Sequence, residues 1–80
     1  MTNDHLRLVM AARLHASSGT GRAIRLAAGL SLAEIGTVVG ANESTVWRWE
    51  QGQARPRGDR AVRWAKLLSM LERSGTSAAA

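Results

Sequence analysis

Apolar residues recur at helical spacing along most of the chain, and each run of them ends at a glycine or a cluster of small polar residues. Five helical segments follow from this pattern. No strand is expected, because Tyr and Phe are absent and no alternating β-branched stretch occurs. The first segment covers residues 4–16. Thr2 or Asn3 can cap it, and Asp4 suits the positive end of the helix dipole. Leu6, Val9, Met10 and Leu14 form its stripe, Arg13 interrupts that stripe, and Leu8 lies on the other side. Such a helix is expected to meet two surfaces, its own core and a second subunit. Ser17, Ser18, Gly19 and Thr20 then break the pattern.

The second segment covers residues 21–28, with Ile24, Ala27 and Ala28 as core candidates and with Arg22 and Arg25 pointing elsewhere. Gly29 stops it. The third has the clearest start: Ser31 and Glu34 make a capping box, and Leu30 and Ile35 a hydrophobic staple. It runs to Val39 and stops at Gly40. Gly36 lies inside it, where glycine costs roughly 1 kcal/mol relative to alanine, so another helix is expected to approach closely there. The fourth segment, residues 43–51, is capped by Asn42 and stopped by Gly52. Only Gly40, Ala41 and Asn42 separate it from the third, which forces a tight helix–helix corner. A basic loop with Arg55, Pro56 and Arg57 leads to the fifth segment, residues 59–73, whose stripe is Ala61, Trp64, Ala65, Leu68 and Leu71. The expected organisation is residues 1–19 as an N-terminal helix and linker, 20–73 as a unit built on that corner and packed with the N-terminal helix into one domain, and 74–80 as a disordered tail.

The fourth segment carries the function. At about 100° per residue, Ser44, Trp47, Arg48 and Gln51 share one face, with Glu43 at its edge. Val46 and Trp49 fall on the opposite side, beside Thr45. A polar helical face of this size suits the major groove of DNA. Arg48 can pair with guanine N7 and O6, Ser44 can donate or accept, and Glu43 can accept from cytosine N4 while repelling phosphate. Gln51 can bond adenine or a phosphate. Trp49 and Trp64 are read as core. Trp47 is read as exposed, with three roles open: a DNA contact on a thymine methyl or sugar edge, a protein-interface anchor, or a partly covered surface residue.

The stretch from Leu30 to Gly52 (LSLAEIGTVVGANESTVWRWEQG) resembles the Cro/repressor, XRE-type helix-turn-helix family. Gly36 stands at the family's small residue, Gly40 at its turn glycine, Val46 at its buried aliphatic position and Trp49 at the hydrophobic residue after it. Glu50 and Gly52 match its Glu-x-Gly, and Pro56 its following proline. The resemblance implies an all-α, five-helix domain with a repressor-like helix-turn-helix core and an extra N-terminal helix. It also implies base contacts from Glu43, Ser44 and Arg48, with Trp47 adjacent, and a phosphate or base contact from Asn42. Leu32 stands where the family often has a phosphate-gripping Gln, leaving the backbone N–H groups of that helix start for the phosphate.

Charge agrees with this reading. Eleven basic residues outweigh six acidic ones, for a net charge of +5, which favours an anionic partner such as nucleic acid. Arg55 and Arg57 directly follow the recognition segment and are assigned to phosphates, with Gln51; Arg60 belongs to the same basic set, in which Arg63 and Lys66 carry less weight. With no Cys, and with no acidic residue at ligand spacing to His5 and His15, no metal site is expected. No nucleophile–base pair, carboxylate pair or phosphate loop is present, so neither enzyme activity, a cofactor nor a small-molecule substrate is expected. The N-terminus lacks a basic leader region, and the apolar run 8–12 is too short to span a bilayer. A cytoplasmic protein is expected.

The leading expectation is a sequence-specific transcriptional regulator binding double-stranded DNA, a phage or bacterial repressor of Cro type. It would act as a homodimer, at least on DNA, on half-sites about 34 Å apart. The N-terminal helix or the fifth segment would supply the dimer contact. Two alternatives stand beside it: a DNA-bending recombination accessory (excision) factor, and a protein-interaction module such as an antitoxin or adaptor.

Overall fold

Three helices begin on a side chain that accepts a hydrogen bond from the third residue of its own helix. Thr2 Oγ1 accepts from His5 N–H at 3.0 Å, Ser31 Oγ from Glu34 N–H at 3.0 Å and Asn42 Oδ1 from Thr45 N–H at 2.8 Å. Each bond satisfies a donor that the first helical turn leaves without a partner. The structure, a computed structural model, describes the backbone of residues 2–79 and the side chains of residues 2–75. Its elements are α1 (Asn3–Ser18), α2 (Thr20–Ala27), α3 (Leu32–Val39), α4 (Glu43–Glu50) and α5 (Gly58–Ala79). There is no strand among the described residues.

The capping box at α3 is complete: Ser31 N–H also donates to Glu34 Oε1 at 2.9 Å. That backbone bond, with the Ser31 hydroxyl second, holds the Glu34 carboxyl below its ordinary value of 4.5. A depressed carboxylate contributes stability above its unfolded pKa and loses it as pH falls through the folded value. The wild-type chain should therefore melt above Glu34→Gln at neutral pH. That margin should shrink once pH drops below 4.5, as thermal melts by circular dichroism at neutral pH and at about pH 3 would register.

The core gathers Val9, Ala12 and Ala16 of α1, Ile35 and Val39 of α3, Val46 and Trp49 of α4, and Ala61, Trp64, Ala65, Leu67 and Leu68 of α5. The Trp49 and Trp64 rings meet at 5.0 Å between centroids, tilted by 38°, within the range favourable for aromatic pairs. Trp64 also lies over Gly21, where a Cβ would come within 2.7 Å of the indole. Both tryptophans thus occupy the core as expected.

Helices α1 and α2 are rotated from their expected settings. Val9 of the expected α1 stripe is buried, but Leu6, Met10 and Leu14 are 46%, 61% and 65% exposed. Small residues take their place: Ala12 and Ala16 let α1 lie close against α5. Arg13, which broke the stripe, donates from Nε to the Pro56 carbonyl at 3.1 Å. On α2 and at its C-cap, Ala27 and Ala28 are exposed and Ile24 is only half-buried, while Gly21 and Arg25 face inward. The wide Trp64 indole fills the space that larger α2 side chains would need. Helix α5 also continues beyond Arg73 to Ala79 rather than giving way to a tail at Ser74. The stretch holds no proline, so nothing in it forbids the helix from running on through Ser74, Gly75 and Thr76.

The corner between α3 and α4 is closed on the Gly36 carbonyl, which accepts from Gly40 N–H at 2.8 Å and Ala41 N–H at 3.0 Å. A Cβ at Gly36 would lie 2.4 Å from the Ala41 carbonyl oxygen. The close neighbour that requires glycine is thus the backbone of the turn, not a further helix. Gly40 ends α3 with φ at +78°, a left-handed conformation that costs glycine little.

Candidate nucleic-acid interface

Helix α4 is held from behind by its apolar side and from one end by a charge pair. Val46 and Trp49 are buried in the core, and the Glu50 carboxylate is fully enclosed. Arg25 reaches it with two bonds, Nε to Oε2 at 2.6 Å and Nη2 to Oε1 at 3.0 Å. A third bond runs from Arg25 Nη1 to the Leu30 carbonyl at 2.9 Å. The hydrogen bond to Glu50 raises the guanidinium pKa above its ordinary value, against the opposing effect of burial. This fork ties α2 to the C-terminal end of α4 and to the loop before α3. Arg25 was expected to point away from the core and instead enters it. Sequence reasoning found Glu50 only as part of a motif, and the two partners stand 25 positions apart with no local signal joining them.

The opposite face of α4 is turned to solvent. Glu43, Ser44, Trp47 and Arg48 are all exposed, Trp47 by 43% despite its size. These four line one open notch of about 410 Å³ together with Leu32, the first residue of α3. The structure therefore brings together the four residues expected to meet bases. Leu32 is the member that sequence reasoning set aside, because its apolar side chain marked only a missing polar clamp. No local signal along α3 places Leu32 beside α4, because the angle between the two helices decides it.

Asn42 is exposed at the N-terminus of α4, with its side-chain oxygen engaged in the cap and its amide donor left over. Gln51 is exposed at the other end, where α4 stops at Glu50 and Gln51 N–H bonds the Trp47 carbonyl at 3.0 Å. Neither lines the notch. Arg55 and Arg57 belong to a separate cleft beside Thr45 and Trp49, where Arg60 of α5 joins them. The loop that carries them is anchored by Pro56, which is fully buried, and by the Arg13 bond to its carbonyl. The Arg63 guanidinium lies at the corner, 3.1 Å from where a Cβ on Gly40 would sit. Lys66 is exposed farther along α5. None of Arg48, Arg55, Arg57, Arg60 and Arg63 has an ion pair among the described residues.

A short corner, an exposed polar helix face and a flanking track of unpaired arginines are together the geometry of a helix-turn-helix reader. A family model described as a helix-turn-helix domain matches residues 22–80. The chain belongs to this helix-turn-helix family. Its members are XRE/Cro-like DNA-binding domains, so the resemblance read from residues 30–52 holds across most of the chain. The domain match begins within α2 and leaves α1 outside it. No curated protein and no solved structure gives a significant match to the chain. Among the described residues, no helix of this helix-turn-helix protein is long and apolar enough to cross a membrane.

Proposed function

We propose that this helix-turn-helix protein is a sequence-specific transcriptional regulator of the Cro-repressor kind that inserts α4 into the major groove of double-stranded DNA. One observation carries the reading: Glu43, Ser44, Trp47 and Arg48 stand exposed together while Val46, Trp49 and Glu50 of the same helix are buried. Hydrogen-bonding side chains on the outer face of a helix match the donor and acceptor edges in that groove. Arg48 pairs with guanine N7 and O6, Ser44 donates or accepts, and Glu43 accepts from cytosine N4. Asn42, Gln51, Arg55 and Arg57 contact phosphates, and the positions of Arg60 and Arg63 favour adding them to that track. Specific sites are commonly read by two-fold dimers. The exposed Leu6, Met10 and Leu14 on α1 offer apolar surface through which two copies can pair.

Two variants separate base reading from phosphate binding. Arg48→Ala is expected to cost about 1–3 kcal/mol on the preferred site and to relax the choice of base at one position. Arg57→Ala is expected to weaken binding to every duplex alike and to lower the slope of log K against log salt by about one. Fluorescence anisotropy on matched and mismatched duplexes over a salt series measures both. A loss for Arg48→Ala that is equal on all sequences would show it gripping phosphate rather than reading a base.

A further inference from the structure

The geometry points to a methyl-reading notch: Leu32 and Trp47 form an apolar slot that takes the C5-methyl group of a pyrimidine in the major groove, next to the base paired by Arg48. The inference rests on the reading of α4 as the recognition helix. Its ground is a mismatch of chemistry within that face. Glu43, Ser44 and Arg48 offer charge and hydrogen bonds, whereas the same notch is walled by a leucine from α3 and an indole from α4. Leu32 packs on the core with one side and lines the notch with the other. Trp47 contributes nothing to the core and leaves 43% of its surface open.

Base edges in the major groove present nitrogen and oxygen donors and acceptors, and one apolar group, the pyrimidine C5-methyl. Apolar walls gain nothing from the former and remove the latter from water. The notch therefore selects a methylated pyrimidine, thymine or 5-methylcytosine, over cytosine or uracil at the same step. The Glu43 carboxylate distinguishes the two sources, because it accepts from the N4 amino group of 5-methylcytosine and repels the O4 of thymine.

The test uses the intact chain and a duplex obtained by selection from random sequence. Each thymine is replaced in turn by uracil, and each cytosine by 5-methylcytosine, so that only a methyl group changes and the protein is untouched. At one position in the half-site, removing the methyl should weaken binding about fourfold, or adding it strengthen binding by the same factor, as expected for one buried methyl-sized group. That step should vanish in Leu32→Gln and in Trp47→Gln, both checked for fold by circular dichroism. Methyl changes that leave wild-type affinity within about twofold everywhere, or a step that persists in either variant, overturn the notch. If guanine preference dependent on Arg48 survives such a result, only the notch falls. If the chain binds no duplex at all, the reading of α4 falls with it.

Discussion

Glu50→Ala is expected to lower stability by about 3–5 kcal/mol, because it strips the partner from a guanidinium that stays enclosed. The whole stability of an 80-residue domain is on the order of 4–12 kcal/mol, so much of the fold's margin rests on this pair. The thermal midpoint should drop by roughly 12 °C or more. Removing both charges is a different matter. Arg25→Met combined with Glu50→Leu eliminates the buried charges along with their attraction, and pairs of that kind are often neutral or stabilising. The double variant should melt near the wild type while the single variant melts far below it. Equal melting of the wild type and Glu50→Ala would mean that the fork between Arg25 Nε and Nη2 and the Glu50 carboxylate is no stronger than a surface ion pair, worth about 0–1 kcal/mol.

Trp64→Ala should cost a comparable amount, about 3–5 kcal/mol in urea unfolding. The side chain is 1% exposed, and its loss opens a cavity against both Trp49 and Gly21. Because Trp49 rests on it, the inner face of α4 loses support, and duplex affinity should fall together with stability. Trp47→Ala provides the contrast. That indole is half-exposed and outside the core, so its removal should change the free energy of urea unfolding by no more than about 0.5 kcal/mol while weakening DNA binding. A Trp64→Ala chain that unfolds at the wild-type midpoint would contradict the placement of the core.

The elements that could be read from sequence are those set by local chemistry. Ser31 with Glu34, Asn42 before Thr45, and Gly40 at the turn act within a few residues of themselves, and the structure has each in its expected place. The two faces of α4 were also legible, since Val46 and Trp49 can only be inward if Ser44 and Arg48 are outward. What was not legible depends on contacts between distant segments. The setting of α1 is decided by how closely Ala12 and Ala16 allow α5 to approach, and no stripe count along α1 alone ranks two alanines above Met10 and Leu14. Arg25 enters the core only because Glu50, on another helix, is there to receive it. Leu32 lines the notch through the angle of the corner, which its own position does not encode. The basic residues were legible as a set, but that Arg55, Arg57 and Arg60 share one cleft depends on the turn into α5.

If α4 enters the major groove with Arg48 leading, methylation interference on a selected duplex will reveal it base by base. Dimethyl sulfate marks guanine N7 in the major groove and adenine N3 in the minor groove, so one experiment distinguishes the two. Methylation of one guanine in each half-site should block wild-type binding, and that guanine should cease to matter in Arg48→Ala. Interference confined to adenine N3, or a guanine pattern unchanged by Arg48→Ala, would contradict it.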